Sequence, residues 1–216
     1  MTASTPPLRQ ALERIVDKLA YDYDACFSAD DVRAVLHDSY DQLAATASVT
    51  AFLPVLAERL TRERLDARAQ VEGKLAKRVP EVLFVCVQNA GRSQMAAALA
   101  RHYAGSQLHL RTGGSDPGQA IHPAVVQAMK DIGLSMDQEF PKPLTDEVVR
   151  AADVVVTMGC GDECPYVPGR RYEDWPISDP AHADADQVAG IRDEIDARVR
   201  ALLTDLLPGF SPAPRT

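Results

Sequence analysis

One stretch, residues 82–100, limits the folds that this chain can adopt more than any other part of the sequence. An apolar run at 82–85 leads into a loop, 86–93, with the sequence Cys-Val-Gln-Asn-Ala-Gly-Arg-Ser, and a helix-forming run follows. A strand, a tight loop and a helix in this order direct backbone N–H groups and a helix N-terminus at one point, which favours the binding of an anion. The same order is typical of an α/β fold with its ligand at the end of a strand.

The residue types in this loop predict a nucleophile beside an oxyanion site. Cys86 begins the loop, and Arg92 follows six residues later at the start of the helix. Backbone amides and the guanidinium would bind a tetrahedral oxyanion, and the same positive field would favour the thiolate of Cys86. Ser93 could donate its hydroxyl to that thiolate or cap the helix, Asn89 tolerates a left-handed backbone, and Gly91 lets the backbone approach the anion. The residues expected to surround the oxyanion are Val87, Gln88, Asn89, Ala90, Gly91 and Arg92.

The chain before this loop predicts a small helical bundle. Apolar residues recur at helical spacing in three segments, and no strand pattern precedes the one that leads into the loop. Ser28 with Asp31 is typical of a helix start, and Gly73 is typical of a helix end. We therefore predict an antiparallel three-helix bundle over residues 1–78, in which Cys26 is a small, partly buried residue.

The chain after this boundary alternates between strand and helix patterns. Apolar or alternating runs predict strands at residues 82–87, 108–111, 153–158 and 171–175. Helical patterns occupy residues 93–103, 123–132, 146–151 and 186–207, with Thr145 as the cap of the third of these helices. The alternation predicts a small doubly wound α/β domain with a parallel sheet over residues 79–208, followed by a tail at 209–216. Its ligand should bind at the carboxyl ends of the strands.

The composition excludes several classes of protein. With 46% hydrophobic and 25% charged residues the chain is globular, and its net charge of −8 argues against an extended nucleic-acid interface. We expect no membrane partner, because there is no signal peptide and no apolar run near the roughly 20 residues that span a bilayer. A cytoplasmic location follows as an expectation, and in that compartment four cysteines are reduced, catalytic or metal-binding rather than structural disulfides.

The loop at 86–93, with Gln94 and Met95 after it, resembles the signature of the low-molecular-weight protein tyrosine phosphatase superfamily, and more narrowly of its arsenate reductase branch. The resemblance extends over about residues 80–207. The N-terminal bundle is similar to an extension on some actinobacterial arsenate reductases. Further segments that resemble the family are 113–115, 121–124, 141–145, 153–160 and 175–180.

Three features favour the reductase branch. Gln94 follows Arg-Ser where the phosphatases usually carry proline, and the segment after Asp179 lacks the aromatic residues that line a phosphotyrosine cleft. Cys160 and Cys164 could supply the two electrons that the reduction of arsenate requires. The resemblance thus implies arsenate as the substrate, no bound cofactor or metal, and an external thiol donor.

The resemblance also implies a role for each residue. Cys86 would attack arsenate, and Asp179 would be the general acid that protonates the departing oxygen. Cys160 would attack Cys86, releasing arsenite and leaving a disulfide. Cys164 would then attack Cys160 and pass the disulfide to thioredoxin.

Several alternatives stay open from the sequence. Cys160 and Cys164 are closer together than the family's redox cysteines usually are, so mycothiol with mycoredoxin, or glutathione, could replace thioredoxin and act through a thiol–arsenate conjugate. The same loop would serve a low-molecular-weight phosphatase that acts on phosphotyrosine. The chain could also be an arsenic- or redox-responsive binding protein whose bundle contacts a partner. Zinc binding by the two cysteines would need a second Cys or His pair, which the sequence lacks, and Asp179 before Pro180 could simply start a turn.

Overall fold

The computed structural model describes residues 6–159 and 164–210, and the chain divides into two compact units between Lys77 and Arg78. The first unit contains α1 (Pro6–Asp22), α2 (Ala29–Ala44) and α3 (Leu53–Val71). Apolar side chains at helical spacing form its core, as the sequence predicted. The core includes Leu12, Val16, Leu19, Val32, Leu36, Leu60 and Leu65.

The helix ends in this unit follow the signals in the sequence. The Ser28 side chain accepts a hydrogen bond from the Asp31 N–H, and the Asp31 carboxylate accepts one from the Ser28 N–H, so both members of the predicted cap are used. Gly73 has a φ of 70°, the left-handed conformation expected after a helix. Cys26 is partly buried and packs against the cluster that contains Leu19. None of the described helices combines the length and the apolarity needed to cross a bilayer.

The second unit has the α/β fold that the alternating pattern predicted. Its strands are β1 (Glu81–Cys86), β2 (His109–Gly114), β3 (Val154–Met158) and β4 (Arg171–Asp174). Its helices are α4 (Arg92–Ala104), α5 (Pro123–Lys130), α6 (Asp146–Ala151) and α7 (Ala185–Leu206), with short 3₁₀ helices at Gly105–Gln107 and Pro180–His182. Every predicted strand and helix of this unit is present, and no end differs from its prediction by more than three residues.

The order of the strands determines where a ligand would bind. Among the described residues, four parallel strands form one sheet in the order β2-β1-β3-β4. The chain leaves β1 for β2 on one side and then returns to β3 on the other side, so a topological switch point lies between β1 and β3. Cys86, at the carboxyl end of β1, is opposite Gly114 of β2 and Met158 of β3. Ligands of doubly wound sheets bind at this position.

Packing around β1 explains its continuous apolar sequence. Every residue of β1 is buried, as expected for a central strand that is covered on both faces. Trp175 is 4% exposed, and its ring centroid lies 5.9 Å from that of Phe84 in β1. One local prediction was wrong in detail: Thr145 precedes α6, but its side chain makes no capping hydrogen bond.

Candidate active site

Cys86 and Ser93 lie side by side where β1 meets α4. Cys86 is 2% exposed, and its Sγ lies 3.0 Å from Oγ of Ser93. Gly91 occupies the N-cap position of α4, and no side chain caps that helix. Ser93 is therefore in the first turn of the helix and is not its cap, which corrects one of the two interpretations from the sequence. The contact with sulfur agrees with the other interpretation.

Asn89 has the left-handed backbone that the sequence predicted. Its φ is 49°, and it is the one non-glycine residue with a positive φ within residues 6–159 and 164–210. The side chain is completely buried, and Nδ2 donates a hydrogen bond to Oγ of Ser93 over 2.8 Å. Oδ1 accepts a hydrogen bond from the backbone N–H of Lys142 over 3.0 Å. Asn89 thus connects the loop both to α4 and to the segment before α6.

Several carbonyl groups of the loop face one neighbouring segment of the chain. Three of them accept hydrogen bonds from N–H groups in the segment 116–122. Because the C=O and the following N–H of a trans peptide point in opposite directions, the N–H groups of Gln88, Asn89 and Gly91 point away from that segment. This orientation agrees with the expected binding of an oxyanion by the loop amides. The bonds are Asp116 N to Val87 O (2.9 Å), Gly118 N to Gln88 O (2.8 Å) and His122 N to Ala90 O (3.0 Å).

Arg92 is buried, and its guanidinium is held by two groups from distant parts of the chain. Nη1 donates to the carbonyl of Ile177 over 3.2 Å, and Nη2 donates to Oδ2 of Asp179 over 2.6 Å. Gly159, which follows β3, makes room for the guanidinium: a Cβ at this position would lie 2.7 Å from Nη1 of Arg92. The cation is thus fixed at the end of the sheet where Cys86 lies.

Asp179 is half exposed and performs a structural role as well. Its Oδ1 accepts a hydrogen bond from the N–H of Ala181 over 2.9 Å, so it begins the 3₁₀ helix Pro180–His182, as the turn alternative predicted. The next residue, Pro180, lies against the loop, because a Cβ on Gly91 would be 2.7 Å from Cγ of Pro180. The structure therefore brings Asp179 to the loop and to Arg92, two regions that are far from it in sequence.

The sequence did not predict three contacts of the site. The N–H of His122 binds the loop, and both the carbonyl of Ile177 and the backbone of Gly159 lie close to the Arg92 guanidinium. His122 occupies the N-cap position of α5, and its backbone N–H also donates a hydrogen bond to the carbonyl of Ala90 in the loop. Pro123 in the first turn is the sequence signal for that position. The contact between Ile177 and Arg92 joins residues 85 positions apart, and no local pattern indicates it.

The structure describes one of the two proposed redox cysteines. Cys160 lies outside the described residues. Cys164 is partly buried in the connection between β3 and β4. Within the described ranges 6–159 and 164–210, no group of three or more His, Cys, Asp or Glu side chains is arranged to hold a metal ion.

Both units match known protein families. Residues 81–208 match the family described as low molecular weight phosphotyrosine protein phosphatase. Residues 12–69 match the protein-tyrosine-phosphatase-like N-terminal domain.

Similar proteins carry the name arsenate reductase. The solved thioredoxin-dependent arsenate reductase of Corynebacterium glutamicum is 45% identical, with a TM-score of 0.82, and the match covers 91% of this chain and 96% of that chain. The arsenate reductase of Bacillus subtilis is 31% identical over 129 residues, which are 55% of this chain and 91% of that protein. A Halobacterium salinarum protein with a provisional arsenate reductase name is 35% identical over 134 residues, which are 60% of this chain and 92% of that protein.

The phosphatase family match covers more than half of the chain, and each of these relatives is matched over most of its own length. The fold and the resemblance predicted from the loop are thereby confirmed. This chain belongs to the low molecular weight phosphotyrosine protein phosphatase family, whose domain it joins to a protein-tyrosine-phosphatase-like N-terminal domain.

Proposed function

We propose that this protein reduces arsenate to arsenite and takes the two electrons from thiols. The observation that carries the proposal is the 45% identity to a thioredoxin-dependent arsenate reductase over 91% of the chain. The site supports it, because Cys86, Ser93 and Arg92 form a thiol and oxyanion site that also lies next to Asp179. We infer that the reaction takes place in the cytoplasm, where thiols are kept reduced.

In the first step, the Cys86 thiolate attacks the arsenic atom of bound arsenate. A sulfur–arsenic bond forms and an arsenic–oxygen bond breaks. Asp179 supplies the proton, so that the oxygen leaves as water. Arg92 and the N–H groups of Val87, Gln88, Asn89, Ala90 and Gly91 hold the remaining oxygen atoms and stabilise the charge that develops on them.

In the second step, the thiolate of Cys160 attacks the sulfur of Cys86. The electron pair of the sulfur–arsenic bond goes to arsenic, which is reduced from arsenic(V) to arsenic(III) and leaves as arsenite. A disulfide between Cys86 and Cys160 remains. The Cys164 thiolate then attacks Cys160, which restores the Cys86 thiolate and leaves a disulfide between Cys160 and Cys164.

Thioredoxin is the donor that we favour, because the relative of 45% identity is thioredoxin-dependent. In this scheme it reduces the disulfide between Cys160 and Cys164. The short separation of these two cysteines keeps the mycothiol route as the alternative. There mycothiol would form a conjugate with arsenate, and mycoredoxin would complete the reduction.

We also propose that residues 1–78 and 79–208 are separate domains and that 209–216 is a tail. The division of the chain between Lys77 and Arg78 supports the first boundary, and the family matches at 12–69 and 81–208 support both domains. The N-terminal domain has no proposed part in the chemistry.

The decisive experiment measures arsenite formation by the full chain with arsenate and two donor systems. One contains thioredoxin, thioredoxin reductase and NADPH, and the other contains mycothiol and mycoredoxin. We expect turnover with the first system. Cys86→Ser should abolish turnover with either donor, whereas Cys160→Ser and Cys164→Ser should abolish only turnover that depends on thioredoxin.

Cys26→Ser is the matched control, because it removes a thiol from the other unit of the chain. It should turn over arsenate at the wild-type rate. Full arsenate turnover by Cys160→Ser with thioredoxin would refute the cysteine relay. Rapid hydrolysis of p-nitrophenyl phosphate without arsenate-dependent thiol oxidation would instead assign a phosphatase activity.

A further inference from the structure

We propose that Gln94 is a positioning residue that fixes the direction of a hydrogen-bond chain ending on the sulfur of Cys86. The proposal rests on the proposed function only in that it takes Cys86 as the nucleophile. Gln94 is completely buried in the first turn of α4, and its side chain points to the loop and to the segment before α6 rather than to solvent.

The orientation of the Gln94 amide is determined by backbone groups. Nε2 lies 3.1 Å from the carbonyl oxygen of Asn89 and 3.0 Å from the carbonyl oxygen of Phe140. A carbonyl oxygen only accepts hydrogen bonds, so the nitrogen of the amide must face these two groups. Oε1 is buried and has no protein donor within the described residues, so a flipped amide would place oxygen against oxygen and gain nothing in return.

Asn89 is the next member of the chain, and its orientation is determined in the same way. Its Oδ1 accepts a hydrogen bond from Nε2 of Gln94 over 3.0 Å and from the backbone N–H of Lys142 over 3.0 Å. A backbone N–H only donates, so Oδ1 must stay on this side and Nδ2 must face Ser93. The 2.8 Å contact from Nδ2 to Oγ of Ser93 is consequently a donation to the hydroxyl oxygen.

The direction of these bonds decides what Ser93 does. Its two hydrogen-bond partners in the described structure are Nδ2 of Asn89 and Sγ of Cys86. Since Nδ2 can only donate, the hydroxyl proton of Ser93 is directed at the sulfur, 3.0 Å away. A hydrogen bond to a charged acceptor is stronger than one to a neutral acceptor, so this arrangement favours the thiolate of Cys86.

Gln94 does more than donate to the Asn89 side chain, because it also links α4 to the backbone carbonyl groups of Asn89 and Phe140. Its Nε2 shares two hydrogens among three oxygens, which belong to the loop and to Phe140. A proline or an apolar residue at this position would leave Asn89 with the Lys142 N–H as its main donor. That donor would still keep Oδ1 on its side, but the Asn89 amide would be held by fewer hydrogen bonds, and the direction of the Ser93 hydroxyl would be less firmly fixed.

The test compares the wild type with Gln94→Met and Gln94→Glu in the full chain. Methionine has nearly the same length without a donor, and glutamate has the same shape without an N–H. The rate of alkylation of Cys86 by iodoacetamide is measured across pH, with the Cys86 peptide quantified by mass spectrometry. We expect the midpoint of the pH profile to rise by about 0.5–1 pH unit in Gln94→Met, the size expected for one net hydrogen bond, and by more in Gln94→Glu.

Leu99→Ala is the matched control, because it opens a cavity at a buried position on the same helix without touching this chain of bonds. Its melting temperature should fall while the midpoint of alkylation stays at the wild-type value. An unchanged midpoint in both Gln94 variants would overturn the proposal. An equal shift in Leu99→Ala would also overturn it, since the effect would then follow from lost stability.

The alkylation measurement uses no arsenate, so it tests the role of Gln94 separately from the proposed reduction of arsenate. If the protein failed to reduce arsenate but Gln94→Met still shifted the midpoint, the proposed function would fail and the role of Gln94 would stand. If arsenate were reduced and the midpoint did not move, only the role of Gln94 would fail.

Discussion

Asp179 and Arg92 are paired with each other: Oδ2 of Asp179 lies 2.6 Å from Nη2 of Arg92. The guanidinium that is proposed to bind the oxyanion is therefore paired, in the structure, with the carboxylate that is proposed to protonate the leaving oxygen. The Asp179 side chain is 49% exposed and that of Arg92 is 8% exposed, so the pair is weakened by solvent on the carboxylate side. We therefore expect a doubly charged oxyanion to compete with Asp179 for the same guanidinium.

This competition predicts opposite effects of Asp179→Asn on binding and on chemistry. Phosphate, measured as a competitive inhibitor, should bind about two- to five-fold more tightly, because the anion no longer displaces a carboxylate. The kcat for arsenate should fall about 100-fold, because the amide cannot deliver a proton. Asp186→Asn, which removes the same charge from an exposed position in α7, should change neither quantity. Weaker phosphate binding by Asp179→Asn would contradict the competition.

Gly159→Ala tests the position of the Arg92 guanidinium. Gly159 has a φ of 74°, and a Cβ there would lie 2.7 Å from Nη1 of Arg92, so alanine would displace the guanidinium from its present position. We expect a loss of about 10-fold or more in kcat/KM for arsenate, since misplacement by a fraction of an ångström weakens electrostatic stabilisation of the transition state.

Gly169→Ala is the control for the backbone. Gly169 has a φ of 82° and nothing within 4 Å of its added Cβ, so alanine there creates the same backbone strain without the contact. Both variants should lose about 1 kcal/mol of unfolding free energy, measured in urea. Only Gly159→Ala should lose activity, and an equal loss in both would show that strain rather than contact is responsible.

The local part of the site could be predicted from the sequence, because its determinants are close together in the chain. A strand, a glycine-containing loop and a helix within twenty residues predict an anion site, and the left-handed preference of asparagine correctly indicated the conformation of Asn89. The helix ends were also close to their predictions where a cap or a glycine marks them, as at Ser28 and Gly73.

The long-range part of the site could not be derived from local patterns. Asp179 was assigned through resemblance alone, and its contact with Arg92 joins residues 87 positions apart. Gln94 was recognised as a marker of the reductase branch, but its hydrogen bonds depend on Phe140 and on the loop together. No periodicity encodes which backbone carbonyl a buried amide will meet, because tertiary packing decides it.

Glu81 predicts how stability depends on pH. It is buried with Arg111, and Nδ1 of His109 lies 2.6 Å from its Oε1. Burial would raise the pKa of Glu81, but the hydrogen bond with His109 and the charge of Arg111 outweigh it and lower the pKa from 4.5 to about 2. Because the pKa is lower in the folded state, the carboxylate stabilises the fold above about pH 4.5 and this stabilisation is lost as the pH falls toward 2.

Glu81→Gln should therefore lose about 3 kcal/mol of unfolding free energy at pH 7, and its stability should fall less steeply than that of the wild type between pH 4.5 and 2. Urea unfolding at a series of pH values measures both effects. Glu194→Gln, which removes an exposed i,i+4 pair with Arg198 in α7, should change stability by less than about 0.5 kcal/mol. If the unfolding free energy of Glu81→Gln fell as steeply as that of the wild type between pH 4.5 and 2, Glu81 would not be the source of this pH dependence.

Tyr172 in β4 holds the segment that follows Cys164. Its hydroxyl donates to the carbonyl of Pro165 over 2.9 Å and accepts from the N–H of Val167 over 2.9 Å. In the proposed relay, Cys164 must reach Cys160 in one fixed geometry, so loosening this segment should slow the transfer of the disulfide. We expect Tyr172→Phe to lower the steady-state rate with thioredoxin about three- to ten-fold, the effect of losing hydrogen bonds worth about 1 kcal/mol.

The step at which Tyr172→Phe acts can be isolated by a single turnover without thioredoxin. Arsenite released in one turnover depends on Cys86 and Cys160 in the proposed scheme, so Tyr172→Phe should release it at the wild-type rate. Tyr166→Phe removes a hydroxyl from an exposed neighbouring ring, 5.2 Å from that of Tyr172, and should leave both rates unchanged. A slower single turnover in Tyr172→Phe would place its effect before the transfer to Cys164, and an unchanged steady-state rate would remove Tyr172 from the relay.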